Sequence, residues 1–231
     1  MKKNLAVAVT LAVAPLALMT QSASALIIDA FDGPTGGTVL SQTGVGTASS
    51  SVSVADVLGG NRYMSINLTS ASGTSNTATM KADNLDQGAL ALDLDSLTAA
   101  TFTIEYGHAG NLNVDLSQQT GIIIEVIASD LPALNNTITL TSAGGTSVAP
   151  FVIPGLISIP GGLASPTDVF VPFSAFAGNA DLTDLDTITF TLTPFASADY
   201  TIAFFATSVP EPTNMALLAP TGLLLARRRR A

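Results

Sequence analysis

Residues Ser51–Thr69 read SVSVADVLGGNRYMSINLT, and this stretch decides the fold class. In its second half Met64, Ile66 and Leu68 alternate with Tyr63, Ser65 and Asn67. A period of two sends one set of side chains to a core and the other to water, which is the pattern of a half-buried β-strand. Gly59-Gly60-Asn61 separates the two halves, and glycine and asparagine tolerate the positive φ of a tight turn. The stretch is therefore read as a β-hairpin.

The same alternation recurs along the chain. TFTIEY sets Phe102, Ile104 and Tyr106 against Thr101, Thr103 and Glu105, and TITFTLT sets Ile188, Phe190 and Leu192 against threonines. YTIAFF places Tyr200, Ile202 and Phe204 on one side. GIIIEVIA is almost continuously apolar and is expected to be a central strand buried on both faces. Turn signals such as Gly110-Asn111, Gly144-Gly145 and Gly178-Asn179 divide these runs, while Gly144–Pro166 is expected to be an irregular excursion. About ten short strands without an amphipathic helix imply an all-β fold: a two-sheet antiparallel β-sandwich, jelly-roll-like.

Composition narrows the chemistry. The 231 residues include no cysteine and no tryptophan, which excludes thiol catalysis, disulfides and cysteine zinc sites. The whole chain carries 17 Asp and Glu against 8 Lys and Arg, a formal net charge of −9. Between residues 26 and 207 the only bases are Arg62 and Lys81, so this body is near −14 by the same count. Such a surface repels phosphates, and no nucleic-acid partner is expected.

The two ends have a different composition. Lys2 and Lys3 precede an apolar run from Leu5 to Met19 and the small-residue site Ala23-Ser24-Ala25, the pattern of a cleaved secretory signal peptide over residues 1–25. After the body, 26–207, the segment 208–231 contains Pro210-Glu211-Pro212, an apolar stretch from Thr213 to Ala226, and Arg227, Arg228, Arg229 and Arg230. A helix over Thr213–Ala226 would be only about 21 Å long, short of a hydrocarbon core of about 30 Å. The arginines would hold its end on the cytoplasmic side. A short C-terminal hydrophobic helix is thus expected.

In order and position these three parts resemble the PEP-CTERM sorting signal of Gram-negative-type bacteria. That resemblance implies processing by an exosortase after export by signal peptidase and the secretion machinery. It further implies transient inner-membrane anchoring, then delivery to the cell surface or extracellular matrix, with a structural or adhesive role in exopolysaccharide or biofilm. A looser resemblance links IIDAFDG and VFVPFSAFAGNADLTDLDTITFTL to the first and last parts of galactose-binding-like jelly rolls, whose terminal strands lie together. The alternative function is a carbohydrate-binding module recognising a specific glycan.

Candidate reactive residues are few. His108 is the sole histidine, no Gly-x-Ser-x-Gly elbow accompanies it, and a solvated turn residue is expected. Glu105 and Glu125 are the only glutamates of the body; a glycosidase would need such a pair about 5 to 9.5 Å apart. No enzymatic activity is expected. Asp29 and Asp32 near the first strand, with Asp181, Asp184 and Asp186 near the last, are a candidate set of hard oxygen ligands for a structural calcium ion. Turn chemistry is the competing explanation for the same aspartates. Of the three tyrosines, Tyr63, Tyr106 and Tyr200, each is a candidate for holding a sugar chain end.

Overall fold

The computed structural model describes residues 24–32, 37–83, 88–108, 112–155 and 166–209. Fourteen strands form two seven-stranded antiparallel sheets. The first sheet contains β1 (Ile27–Asp29), β2 (Thr38–Thr43), β5 (Thr77–Ala82), β6 (Leu90–Leu94), β8 (Gly121–Ser129), β11 (Thr167–Pro172) and β14 (Tyr200–Ser208). Its order is β11-β8-β14-β6-β5-β2, with β1 pairing to β14. The second contains β3 (Gly46–Ser53), β4 (Asn61–Ser70), β7 (Ala99–Tyr106), β9 (Ala133–Ser142), β10 (Gly145–Ile153), β12 (Ala177–Gly178) and β13 (Leu185–Leu192). Its order is β12-β10-β9-β13-β7-β4-β3.

The expected hairpin is present. β3 pairs with β4 from Gly46↔Leu68 to Ser53↔Asn61, but the connection is longer than expected: residues 54–60, ending in a 3₁₀ segment, Leu58–Gly60, with Gly59 at φ 75° and Gly60 at φ 68°. On β4 Met64, Ile66 and Leu68 are fully buried, on β7 Phe102, Ile104 and Tyr106, and on β13 Ile188 and Phe190. Each such aliphatic or aromatic side chain contributes about 1.5–3 kcal/mol on leaving water. The first sheet answers with Met80, Leu90, Leu92, Ile122, Ile124, Val126, Ile202 and Phe205. At the centre, Phe190 of one sheet stacks on Phe205 of the other at 3.9 Å between ring centroids, while Phe31 and Tyr106 meet Phe205 edge-on.

Several expectations are corrected. The β14–β8 pairing shifts register twice: between Thr201 and Ile202 it skips Ile127 of β8, and between Ile202 and Phe204 it skips Ala203, a bulge that adds a residue to β14. The alternation therefore inverts, and Phe205 rather than Phe204 enters the core. β8 is not buried on both faces: Ile123, Glu125 and Ile127 are half-buried on its outer side, because no further layer of the described residues packs on that face of the sheet. The first part of Gly144–Pro166 is strand β10, paired with β9 across the Ala143-Gly144 turn and with a register shift between Phe151 and Ile153. The expected sandwich-plus-helix is corrected to a sandwich alone: among the described residues there is no α-helix and none long and apolar enough to cross a membrane. The helix expected over Thr213–Ala226 lies outside the described residues.

One ion pair joins the sheets inside the core. Arg62 on β4 donates from Nε and Nη2 to the two carboxylate oxygens of Asp29 on β1, at 2.5 and 2.6 Å. The Tyr106 hydroxyl donates to Asp29 Oδ2 at 2.8 Å, and the Phe31 backbone N–H donates to Oδ1 at 2.8 Å. The guanidinium also lies 5.1 Å from the Phe31 ring centroid. Burial alone would lower the Arg62 pKa, but the hydrogen bond to Asp29 and its charge reverse that and raise it. Burial raises the Tyr106 pKa well above the ordinary phenol value, and the Asp29 charge adds to the effect. Removing one member of a buried pair leaves an uncompensated charge. Arg62→Met is therefore expected to destabilise the protein by about 3–5 kcal/mol, and Asp29→Asn with Arg62→Met to recover most of that loss. Urea unfolding at neutral pH measures both; a single variant as stable as the native protein contradicts the clamp.

Tyr200 gives a second pH-sensitive position. Among the described residues its buried hydroxyl has no hydrogen bond of normal geometry, and Ser129, opposite it in register, donates to the Leu131 carbonyl. Burial, and then the Asp130 charge, push its pKa up to about 12. Tyr106 and Tyr200 are thus neutral in the folded protein, whereas in the unfolded chain they ionise near pH 10. A raised folded pKa contributes stability that is complete below about pH 10 and is lost as pH rises through the folded value. The urea midpoint is expected to hold to about pH 9 and to fall between about pH 10 and 12, with a smaller fall in Tyr200→Phe. A midpoint unchanged to pH 12 contradicts it.

Candidate functional site

Over β3, β4, β7, β13 and β9 the outer face of the second sheet is built mostly from hydroxyl side chains, whereas β10 turns Thr146, Val148, Pro150 and Val152 outward. Alternation turns Thr47, Ser49 and Ser51 outward on β3, and Tyr63, Ser65 and Asn67 on β4. It does the same for Thr101, Thr103 and Glu105 on β7, and for Thr189 and Thr191 on β13 and Thr137, Thr139 and Thr141 on β9. Registry aligns them in rows. The central row runs Ser51–Tyr63–Glu105–Thr189–Thr139 across five strands. At about 4.8 Å between strands it is about 19 Å long. A parallel row runs Ser49–Ser65–Thr103–Thr191–Thr137.

The aromatic feature of this face stands at Tyr63. His108 leaves the end of β7 and lays its ring on Tyr63, with centroids 4.1 Å apart and planes 4° from parallel. Its Nδ1 is 3.0 Å from Glu105 Oε1, and the side chains are 45% and 22% exposed. Gly107 makes this return possible. It adopts φ 76°, and a Cβ there would collide with the Asp186 carbonyl and lie 2.7 Å from Leu112 Cβ. Asp186 occupies the register shift of β13 between Leu185 and Thr187, and its carbonyl accepts the Leu112 N–H at 3.0 Å. His108 is thus not merely solvated; it is fixed by a ring and a carboxylate.

The remaining candidates are dispersed. Glu125 lies on the outer face of the first sheet and Glu105 on that of the second, so the two carboxylates are separated by the sandwich, whose sheets pack about 10 Å apart. They cannot act on one glycosidic bond. Of the calcium candidates, Asp29 is buried in its ion pair with Arg62, and Asp32 is exposed beyond β1. Asp181 Oδ1 accepts from the Thr183 N–H and hydroxyl, which lower its pKa. Asp184 follows in the same turn, its N–H bonded to the Asp181 carbonyl, and Asp186 lies at the β13 shift. Among the described residues no group of three or more histidines or carboxylates is placed to hold a metal ion. Tyr106 and Tyr200 are buried, which leaves Tyr63 as the tyrosine available to a ligand. Ala25 is exposed just before β1, whereas Ala23 lies outside the described residues.

No family model matches the chain, and no curated protein matches it in sequence. Among solved structures it is similar to the family 11 carbohydrate-binding module from Clostridium thermocellum in complex with a β-1,3-1,4-mixed-linked tetrasaccharide: TM-score 0.41, 14% identity, 80% of this chain and 95% of that one. The family 11 module of a cellulosomal cellulase from the same organism gives 0.42, 16%, 81% and 95%. The family 29 carbohydrate-binding module from Piromyces equi gives 0.32, 10%, 76% and 93%. At these scores the likeness decides nothing about ligands, and the architecture stands on its own strand pairing. The identification as a PEP-CTERM exosortase substrate is corrected, since no family model supports it. With it go exosortase and the secretion machinery as partners, the transient inner-membrane anchoring, the cell-surface or matrix destination, and the structural or adhesive role in exopolysaccharide or biofilm. Pro210, Glu211, Pro212 and Arg227 to Arg230 lie outside the described residues.

Because Gly107 combines a left-handed backbone with close contacts, Gly107→Ala is expected to destabilise the protein by more than about 2 kcal/mol and to displace His108. His108→Ala, at an exposed position, should change stability by less than about 0.5 kcal/mol. Thermal unfolding of the two variants distinguishes them; equal effects contradict the role given to Gly107.

Proposed function

We propose that the protein is a non-catalytic carbohydrate-binding module whose glycan lies along the Ser51–Tyr63–Glu105–Thr189–Thr139 row. The observation that carries this proposal is the half-exposed Tyr63–His108 stack set beside Glu105 in a row of hydroxyls. Sugar rings present an apolar face of C–H groups and an edge of hydroxyls. An aromatic plane meets the first, while a carboxylate and threonine hydroxyls exchange hydrogen bonds with the second. The β-ladder holds these groups in fixed rows, so little ordering is required when a ligand binds.

A glycan array probed with the purified protein tests this proposal. Positive glycans should lose about 30-fold or more in affinity with Tyr63→Ala, the scale of a central aromatic contact, and less with Tyr63→Phe. An array without binders, or binding insensitive to Tyr63→Ala, overturns it.

A further inference from the structure

We infer that Glu105 makes this face selective for glycans carrying free amines, such as glucosamine oligomers; the inference rests on the glycan-binding role proposed above. Glu105 occupies the middle of the central row, between Tyr63 and Thr189 in register. His108 engages Oε1, and among the described residues no donor is bonded to Oε2. Nor does a lysine or arginine of the described residues lie on this face. Arg62 points inward to Asp29, and Lys81 stands on β5 of the opposite sheet, paired with Asp93 at 2.9 Å.

Apart from His108, bonded to Oε1, the carboxylate therefore faces ligands without a neighbouring basic side chain. A uronate or sulfate group would meet Glu105 on a chain of net charge −9, with no lysine or arginine among the described residues of this face to receive it. A neutral acetamide would add one ordinary hydrogen bond. An ammonium group fits better, because it can donate a charge-assisted hydrogen bond to Oε2 beside the Tyr63–His108 stack. Glu105 and Tyr63 stand side by side in one row.

Calorimetric titration of the full chain with a glucosamine hexamer and with its N-acetylated counterpart, at low salt and about pH 6, where the sugar amines carry charge and an ordinary carboxylate is ionised, tests the selectivity. The amine hexamer is expected to bind about three- to tenfold more tightly. Glu105→Gln should bring the ratio of the two affinities close to one. Glu125→Gln makes the same charge change on the opposite face and should leave the ratio as in the native protein. Equal affinities in the native protein, or an equal loss of preference in Glu125→Gln, would show only the general attraction of an acidic surface and overturn the inference. If neither hexamer binds, the amine selectivity also falls; the glycan-binding role falls with it only when the array is blank as well.

Discussion

The structure depends on the buried contact between Arg62 and Asp29. β1 has only three residues and two register pairs with β14, too few backbone bonds to hold a chain end by themselves. The carboxylate of Asp29 does what the ladder cannot. It accepts from Arg62 on β4 and Tyr106 on β7, both in the opposite sheet, and so ties the first strand across the core. Its bond to the Phe31 N–H holds that residue at φ 55°, a left-handed conformation uncommon for an aromatic residue. The turn delivers the Phe31 ring between the guanidinium and Phe205. A charge pair placed in a core is costly unless its partners are complete, and here Asp29 has four donors.

With the sheets held in this way, the two outer faces have different chemistry. The face over β3, β4, β7, β13 and β9 is largely threonine and serine, which suit a pleated, half-buried surface and leave hydroxyls outward. The face over β11 and β8 is more apolar, with Phe170 paired to Ile123 beside Asp168 paired to Glu125. Only the hydroxyl face has Tyr63 with a second ring stacked on it. That stack depends on a short chain of backbone events, from the β13 register shift through the Asp186 carbonyl to the left-handed turn at Gly107. The site is therefore a property of strand ends as much as of side chains.

The acidity of the chain also acquires a location. Its body carries two bases, and both are paired: Arg62 in the core and Lys81 with Asp93 at the surface. Of the remaining carboxylates among the described residues, Glu105 and Glu125 stand within β7 and β8, while the others stand at turns and strand edges, where Asp115 accepts a backbone N–H from Ser117 and Asp181 one from Thr183. Asp199 departs from this pattern. Burial raises its pKa, while its bond from the Leu94 N–H works in the opposite direction. The Ser117 and Thr183 contacts account for Asp115 and Asp181 as turn residues.

The sequence by itself determined whatever depends on the pleat, because a period of two is local. The inward sets on β4, β7 and β13, the hairpin at Gly59-Gly60 and the all-β sandwich were all legible in it. Tertiary structure decided what depends on partners distant in sequence. The bulge that turns Phe205 inward answers to the ladder with β8, and alternation within YTIAFF contains no trace of it. Asp29 resembled an exposed ligand because nothing nearby in sequence reveals Arg62, 33 residues away, or Tyr106, 77 away. Nor could composition separate Tyr63, open to solvent, from Tyr106 and Tyr200, which are buried. Tyr63 and Glu105 each stood out as polar positions on alternating strands. Their meeting with His108 required the β4–β7 register and the turn at Gly107, and such pairings are set by the packing of the whole sandwich, not by the local period of any strand.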